Sequence, residues 1–307
     1  GAGLRAGRCL AAAGMTETRT GAPVAPQHLR MLWMLAPAFV LLLLFFILPY
    51  VSIATMSLRE ASTRAVHGEG WTVSHYTTAL TDAYILTVIG RTVLMGGLVT
   101  LLALLLGYPV AYHLAMSRSR WTSLLYVCVL SPLLVGLVVR TFAWMIILSN
   151  NGVVNQTLRS LGLIDFPLQL MNTPAGVVIA LTHVFLPFVV LPLLGNLQAI
   201  NPEVSMAARS LGASRLRTFL KVTLPLSLPG LQAGAILVFV LSISAYVTPA
   251  LLGGVRGRTM SVLIVQYLVD TFRWPAGAAL ATIMAAVALI AVTLFLLLTA
   301  RAMRRLP

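Results

Sequence analysis

An all-α membrane protein of six spanning helices is the fold that the sequence predicts, and three observations carry that expectation. Hydrophobic residues make up 59% of the 307 residues and charged residues only 9%, with a mean hydropathy of +0.95; a soluble domain carries about 25% charged residues. Charge-free windows run from Met31 to Leu58, Thr92 to Ser117, Phe166 to Pro202, Val222 to Val255 and Trp274 to Ala300. Positive charge also gathers in alternate connections, the pattern of a multi-spanning chain with a fixed orientation.

Each window exceeds the roughly 20 residues a helix needs to cross the hydrocarbon core. The spans are placed near 33-57, 90-115, 122-148, 174-197, 231-252 and 278-300. The first has an apolar stretch of 28 residues, about twice an ordinary secretory h-region and followed by further spans, so it reads as a retained anchor. The third is interrupted only by Arg140. The fourth and fifth lie in windows long enough to tempt a split, but Pro187, Pro192, Pro225 and Pro229 read as kinks and turns into the helices. This gives a tail at 1-30 and a transmembrane domain at 31-305, with a polar loop at 198-230. Residues 1-14 carry no structural pattern and read as an upstream extension or disordered tail, with Met15 as the start.

With the N-terminus inside, the cytoplasmic segments hold Arg5, Arg8, Arg19, Arg30, Arg118, Arg120, Arg209, Arg215, Arg217, Lys221, Arg301, Arg304 and Arg305, thirteen of the twenty-one basic residues. The outer loops hold Arg59, Arg64, Arg159, Arg256, Arg258 and Arg273. Both termini and the loop at 198-230 are therefore expected in the cytoplasm. Inside-positive bias and an anionic inner leaflet account for the net charge of +14 without nucleic acid.

The chemistry open to this chain is narrow. Glu17, Glu60, Glu69, Asp82, Asp165, Glu203 and Asp270 all fall in tails or loops, which weakens proton-coupled transport and intramembrane metal chemistry, since both use buried ionisable groups. His28, His67, His75, His113 and His183 show no metal-binding spacing. His113 reads as interfacial and His183 as a helix-packing hydrogen bonder rather than a ligand. Cys9 and Cys128 read as two unrelated free thiols. Lys221, the only lysine, is followed by Val222, so no phosphate-cradling GxxxxGK[ST] loop exists and any ATP is bound by another chain. No enzyme activity and no cofactor are expected in this chain itself. No internal repeat is evident, which disfavours inverted-repeat secondary carriers.

The polar loop is where a partner is expected. Val204, Ala207, Ala208 and Leu211 fall at helical spacing, as do Leu216, Phe219 and Leu220, while Arg209, Arg215, Arg217 and Lys221 take the other face. Gly212 permits a sharp bend between two short helices. Amphipathicity alone fits either a docking element or a helix lying on the bilayer interface.

The spacing here resembles the cytoplasmic EAA loop of permease subunits in binding-protein-dependent ABC importers. Ala207 and Ala208 match the two alanines, Gly212 the glycine, Val222 the apolar position and Leu224-Pro225 the terminal pair, while Met206 stands where the family has glutamate and Glu203 lies one helical turn earlier. Further motifs over residues 30-305 are similar to the spermidine/putrescine permease group. They are Gly107-Tyr108-Pro109-Val110-Ala111-Tyr112, Val139-Arg140-Thr141-Phe142-Ala143-Trp144, Asn151-Gly152-Val153-Val154-Asn155, Tyr246 to Gly254 (YVTPALLGG) and Trp274 to Ala279 (WPAGAA). Arg273 departs from the usual aspartate before the last of these.

The resemblance implies the six-helix type I importer permease fold and a pathway shared with a second permease subunit. It also implies an ABC ATPase dimer that binds ATP and an extracytoplasmic solute-binding protein. The coupling-loop candidates are Glu203, Met206, Ala207, Ala208, Gly212, Val222, Leu224 and Pro225. The pathway candidates are Arg140, Trp144, Tyr246, Thr248 and Pro249. Arg140 either snorkels outward or lines the pathway, and Trp144 belongs either to the aromatic belt or to the pathway. Pro249 frees a carbonyl within the fifth span, where irregular backbone is covered by protein or lines a cavity. A polyamine is the implied cargo. Iron, thiamine, an opine or a phosphonate are the alternatives within the class, and an ATP-independent carrier or a scaffold that moves nothing the alternatives outside it.

Overall fold

The computed structural model describes residues 27–62, 66–117 and 119–303. Arg5, Arg8, Cys9, Met15, Glu17, Arg19, Arg64, Arg118, Arg304 and Arg305, with the tail segment 1–14, lie outside the described residues. Helix α1 (Gln27–Ser57) is followed by α2 (Ser74–Thr81), α3 (Ala83–Met116), α4 (Trp121–Leu134), α5 (Leu137–Leu148), α6 (Val153–Ser160) and α7 (Pro174–Ala199). Then come α8 (Pro202–Ser210), α9 (Arg215–Thr218), a π-helical turn (Phe219–Thr223) and α10 (Leu224–Ser244). The chain ends with α11 (Val247–Leu252), α12 (Met260–Val265), a second π-helical turn (Gln266–Asp270) and α13 (Trp274–Met303). One isolated antiparallel bridge, Arg59 with Trp71, is the extended pairing among the described residues.

Six stretches of described helix are long and apolar enough to cross a membrane: Leu35–Ser57, Ala83–Met116, Leu137–Ser160, Pro174–Ala199, Arg215–Ser244 and Trp274–Arg301. The described residues fall into two compact units, one up to Val51 and one from Ser52 onward. In the first, α1 carries exposed apolar side chains such as Phe39, Phe45 and Phe46, the surface a lipid solvent accepts. The second is organised by α3, α7 and α10, which pack on one another.

Glycines let these helices approach closely. Between apolar helices in lipid there is no hydrophobic drive, so close approach at small residues supplies the dispersion energy. A Cβ on Gly230 would lie 2.7 Å from Asn196 Cβ and 3.1 Å from Leu193 Cα, and one on Gly234 would lie 3.1 Å from Val189 Cα. These glycines are four residues apart and set one face of α10 against α7. Gly107 of α3 meets the same stretch of α7, since its Cβ would lie 2.9 Å from Val189 Cγ1. Threonine hydroxyls along α3 bond back to their own helix, Thr92 to Val88 O and Thr100 to Gly96 O, each at 2.7 Å.

Two expected spans are broken. The third, placed at 122-148, divides at Val135-Gly136 into α4 and α5, where Pro132 and a glycine weaken the helix together. The fifth, placed at 231-252, begins earlier and ends sooner. Its helix runs from Arg215 to Ser244, breaks at Ala245-Tyr246 and resumes as α11. Pro249 explains the break, because it has no N–H for the carbonyl of Ala245 and its ring crowds that oxygen.

Pro225 and Pro229, by contrast, lie inside the helix, as do Pro187 and Pro192 in α7. Before Pro225 the helix widens to its π turn, with Leu224 N–H donating to Phe219 O. The extra residue relieves the crowding a proline imposes on the preceding turn.

The short helices α2, α6 and α12 were not anticipated. Helix α12 is covered by its neighbours, with Met260 N–H donating to Thr92 Oγ1 at 2.8 Å and Ser261 Oγ to Ile243 O at 2.9 Å. Such pairing lets irregular backbone persist within a bundle that faces lipid.

Replacing Gly230 by valine should destabilise the protein by about 1–3 kcal/mol, because the new atoms meet backbone that cannot yield. The unfolding temperature in detergent should fall accordingly. Gly97→Val, at a position with open space around the added Cβ, should leave it unchanged.

Candidate functional site

The polar segment after α7 folds as two helices joined by a stop. Asn201 caps α8, its Oδ1 accepting from Glu203 N at 2.9 Å while its Nδ2 donates to Glu203 Oε2 at 3.2 Å. Pro202 then occupies the first helical position, where a missing N–H costs nothing. Glu203 lies in the first turn, where a carboxylate favours the helix dipole. The helix stops at Gly212, whose φ of +83° is left-handed. Gly212 N–H donates to Arg209 O at 3.0 Å and Ala213 N–H to Ala208 O at 3.1 Å, the doubled bonds of a Schellman stop. Ser214 caps α9 through Arg217 N–H at 3.3 Å.

No residue of α8 is buried. Met206 is exposed, Ala207 exposed and Ala208 half-buried, and Leu211 is 90% exposed. An apolar side chain so bare has no packing partner among the described residues. Met206, Arg209, Gly212, Ala213 and Arg215 line an open recess of about 610 Å³. The structure therefore groups Glu203, Met206, Ala207, Ala208 and Gly212 at one tip. Val222, Leu224 and Pro225 are set apart, half-buried in the π turn and the first turn of α10.

Sequence reasoning missed how this tip is held. Phe219 stands edge-on to Tyr108, with centroids 5.6 Å apart at 84°, and to Tyr112, at 5.5 Å and 85°. The two tyrosines lie one turn apart on α3 with planes within 12°. Tyr108 Oη also lies 3.1 Å from Ser227 Oγ, and Ser227 Oγ donates to Leu224 O at 2.9 Å. With the serine proton engaged there, the tyrosine is the donor between them. The i, i+4 spacing of Tyr108 and Tyr112 was the available signal.

The pathway candidates gather around the broken third span. Arg140 Nη1 donates to Pro132 O across the α4–α5 break, placing a cation against the last carbonyls of α4. Its Nε is buried without a hydrogen-bond partner among the described residues. Arg140 lines two recesses. One, of about 280 Å³, also contains Ser131, Trp144 and His183. The other, of about 240 Å³, contains Phe185, Tyr246 and Thr248. Trp144 meets the His183 ring edge-on at 5.4 Å, so that histidine packs through its ring. Thr248 is 2% exposed, its hydroxyl 3.3 Å from that of Thr141. Pro249 is buried and lines neither recess. Among the described residues no carboxylate lines either one.

Other motifs prove to be structural joints. Asn155 is fully buried, its Nδ2 donating to Ser149 O and Leu168 O at 3.1 and 3.0 Å and its Oδ1 accepting from Leu168 N at 2.8 Å. It pins the connection between α6 and α7. Gly277 leaves room for Leu268, whose Cδ2 would lie 2.7 Å from an added Cβ. Arg273 lines an open recess of about 570 Å³ with His75, Asp82 and Tyr267. Among the described residues no group of His, Cys, Asp and Glu is arranged to hold a metal.

Comparison with known proteins agrees with this architecture. The spermidine/putrescine transport system permease protein PotB of Escherichia coli (strain K12) is 33% identical over 238 residues, covering 78% of this chain and 86% of that protein. The molybdenum transport system permease protein ModB of Azotobacter vinelandii is 32% identical over 186 residues, 60% of this chain and 80% of that protein. In fold, the chain is similar to a bacterial ABC transporter involved in the import of the acidic polysaccharide alginate. The TM-score is 0.70 at 19% identity, over 91% of this chain and 98% of that one. A chain of the MetNI methionine ABC transporter in an inward-facing conformation gives 0.53 at 18% identity, over 72% and 95%. Residues 29–305 match a family of membrane components, and the chain belongs to it: it is a binding-protein-dependent transport system inner membrane component.

Proposed function

We propose that this chain is a permease subunit of an ATP-driven ABC importer and that α8, with its stop at Gly212, is the element on which the ATPase acts. The observation that carries this reading is the bare tip. A helix with no buried residue ends at a left-handed glycine and displays Met206 and Leu211 beside Arg209 and Arg215. Apolar side chains ringed by charge suit a protein partner better than water.

In this reading ATP closes a pair of partner ATPases, which displace α8 and rock the spans between inward-facing and outward-facing states. The pathway is shared with a second permease subunit, and an extracytoplasmic binding protein delivers the solute. Both termini and α8 face the cytoplasm in this reading, which the distribution of Arg and Lys supports. Spermidine or putrescine is the proposed cargo, by likeness to the PotB proteins. Arg140, Trp144, Tyr246 and Thr248 are the proposed pathway residues of this subunit, and Pro249 contributes by breaking the helix. The carboxylates that polycations call for are then supplied by the outer loops or the second subunit.

Three outcomes test this. Gly212→Val forces a β-branched residue into a left-handed conformation and should lower ATP-driven uptake about ten-fold or more; uptake equal to that of the unaltered complex removes the docking role. Glu203→Lys reverses the charge one turn from Met206 and should reduce the amount of ATPase that co-purifies, whereas unchanged recovery shows that Glu203 does not stand in for the missing glutamate. Titration of the cognate binding protein with spermidine by calorimetry should give saturable binding, and heat only from another solute reassigns the cargo.

A further inference from the structure

Helix α8 has no buried residue, so force applied to it reaches the spans through its two ends and through its contact with the π turn at Phe219–Thr223. One end returns to α7 through Ile200 and Asn201. The other passes through Gly212 into α9, where Leu216 is exposed and Thr218 and Phe219 are the first side chains to turn inward.

Phe219 opens the π turn, the mechanically weak point of the helix from Arg215 to Ser244. Bonds from i to i+5 leave the turn wide, and such turns interrupt the regular ladder. Yet this turn is braced on both sides by one residue. Tyr108 contacts the Phe219 ring at the start of the turn and hydrogen-bonds Ser227 beyond it. Tyr112 holds Phe219 from a second direction. Edge-on pairs set an electropositive ring edge against an electron-rich face, so they fix direction as well as filling space.

We propose that Tyr108, Tyr112 and Phe219 form an aromatic latch that makes α3 and α10 move as one body when α8 is displaced. Phe219 is a positioning residue for coupling and acts through α3. The latch rests on the reading of α8 as the ATPase docking element.

Spin labels on the complete complex test it without knowledge of the cargo. In a protein lacking Cys9 and Cys128, one pair at Leu105→Cys and Leu237→Cys reports the α3–α10 separation, both sites being exposed. A second pair at Ser210→Cys and Leu237→Cys reports movement of α8. On adding ATP, the α8 pair should shift while the α3–α10 distance holds constant. With Phe219→Ala the α3–α10 distance should shift by about 1–2 Å, the scale of helix sliding, with ATPase still co-purifying. Phe219→Tyr, which keeps the ring, should restore a constant distance.

A constant α3–α10 distance in Phe219→Ala, or a shifting one in the unaltered protein, overturns the latch alone. An α8 pair unmoved by ATP overturns the docking reading and the latch together. Should Phe219→Ala fail to fold, Tyr108→Phe decides, since it keeps the ring and removes only the bond to Ser227. A smaller shift there supports the latch and none overturns it.

Discussion

Everything in the larger unit depends on how closely α7 lets its neighbours approach. In lipid an apolar side chain gains nothing by exchanging a hydrocarbon tail for another helix, so association needs surfaces that fit. The stretch from Val189 to Asn196 is that surface. Gly230 and Gly234 bring α10 onto it, and Gly107 brings α3 onto its first residues. The next residue along α3 is Tyr108, which that approach carries within reach of Phe219 and Ser227. The packing glycines and the aromatic contacts are thus two ends of one arrangement, the first setting the distance that the second requires.

Irregular backbone is the other theme, and each instance has its own cover. The α4–α5 break is bridged by Arg140 on Pro132, α12 is held by Thr92 and Ser261, and the connection before α7 is pinned by Asn155. A soluble protein would leave such groups to water. Here the polar side chains that look functional in a charge-poor sequence are partly spent on this work. The two recesses that share Arg140 lie at the breaks, because broken helices are where backbone and side chains turn aside to leave space.

The spans were legible because length and apolarity are local properties, and the tip at Gly212 because its spacing is local too. Where helices end was less legible, since proline has no single meaning. Pro187, Pro192, Pro225 and Pro229 are carried within helices, whereas Pro249 follows a break and Pro132 precedes one. The difference lies in the neighbours, a π turn that relieves Pro225 and a glycine that weakens the helix after Pro132, and neither is written in the proline itself. The fifth span was accordingly displaced at both ends. Helix α12 escaped notice because its run is short and its stability comes from contacts far along the chain. The pairing of Phe219 with Tyr108 and Tyr112 joins residues more than a hundred positions apart, so the i, i+4 tyrosines could be read as a face but not matched to a partner.

The π turn at Phe219–Thr223 also acts as a rotational offset. An α-helix turns by about 100° per residue, so one extra residue swings everything before it around the axis by that amount. The azimuth at which α9 continues from α10, and with it the heading of α8, is therefore a matter of residue count. Losing a single residue between Phe219 and Thr223 would leave every apolar face of α10 in register with α7, yet aim the α8 tip in a different direction.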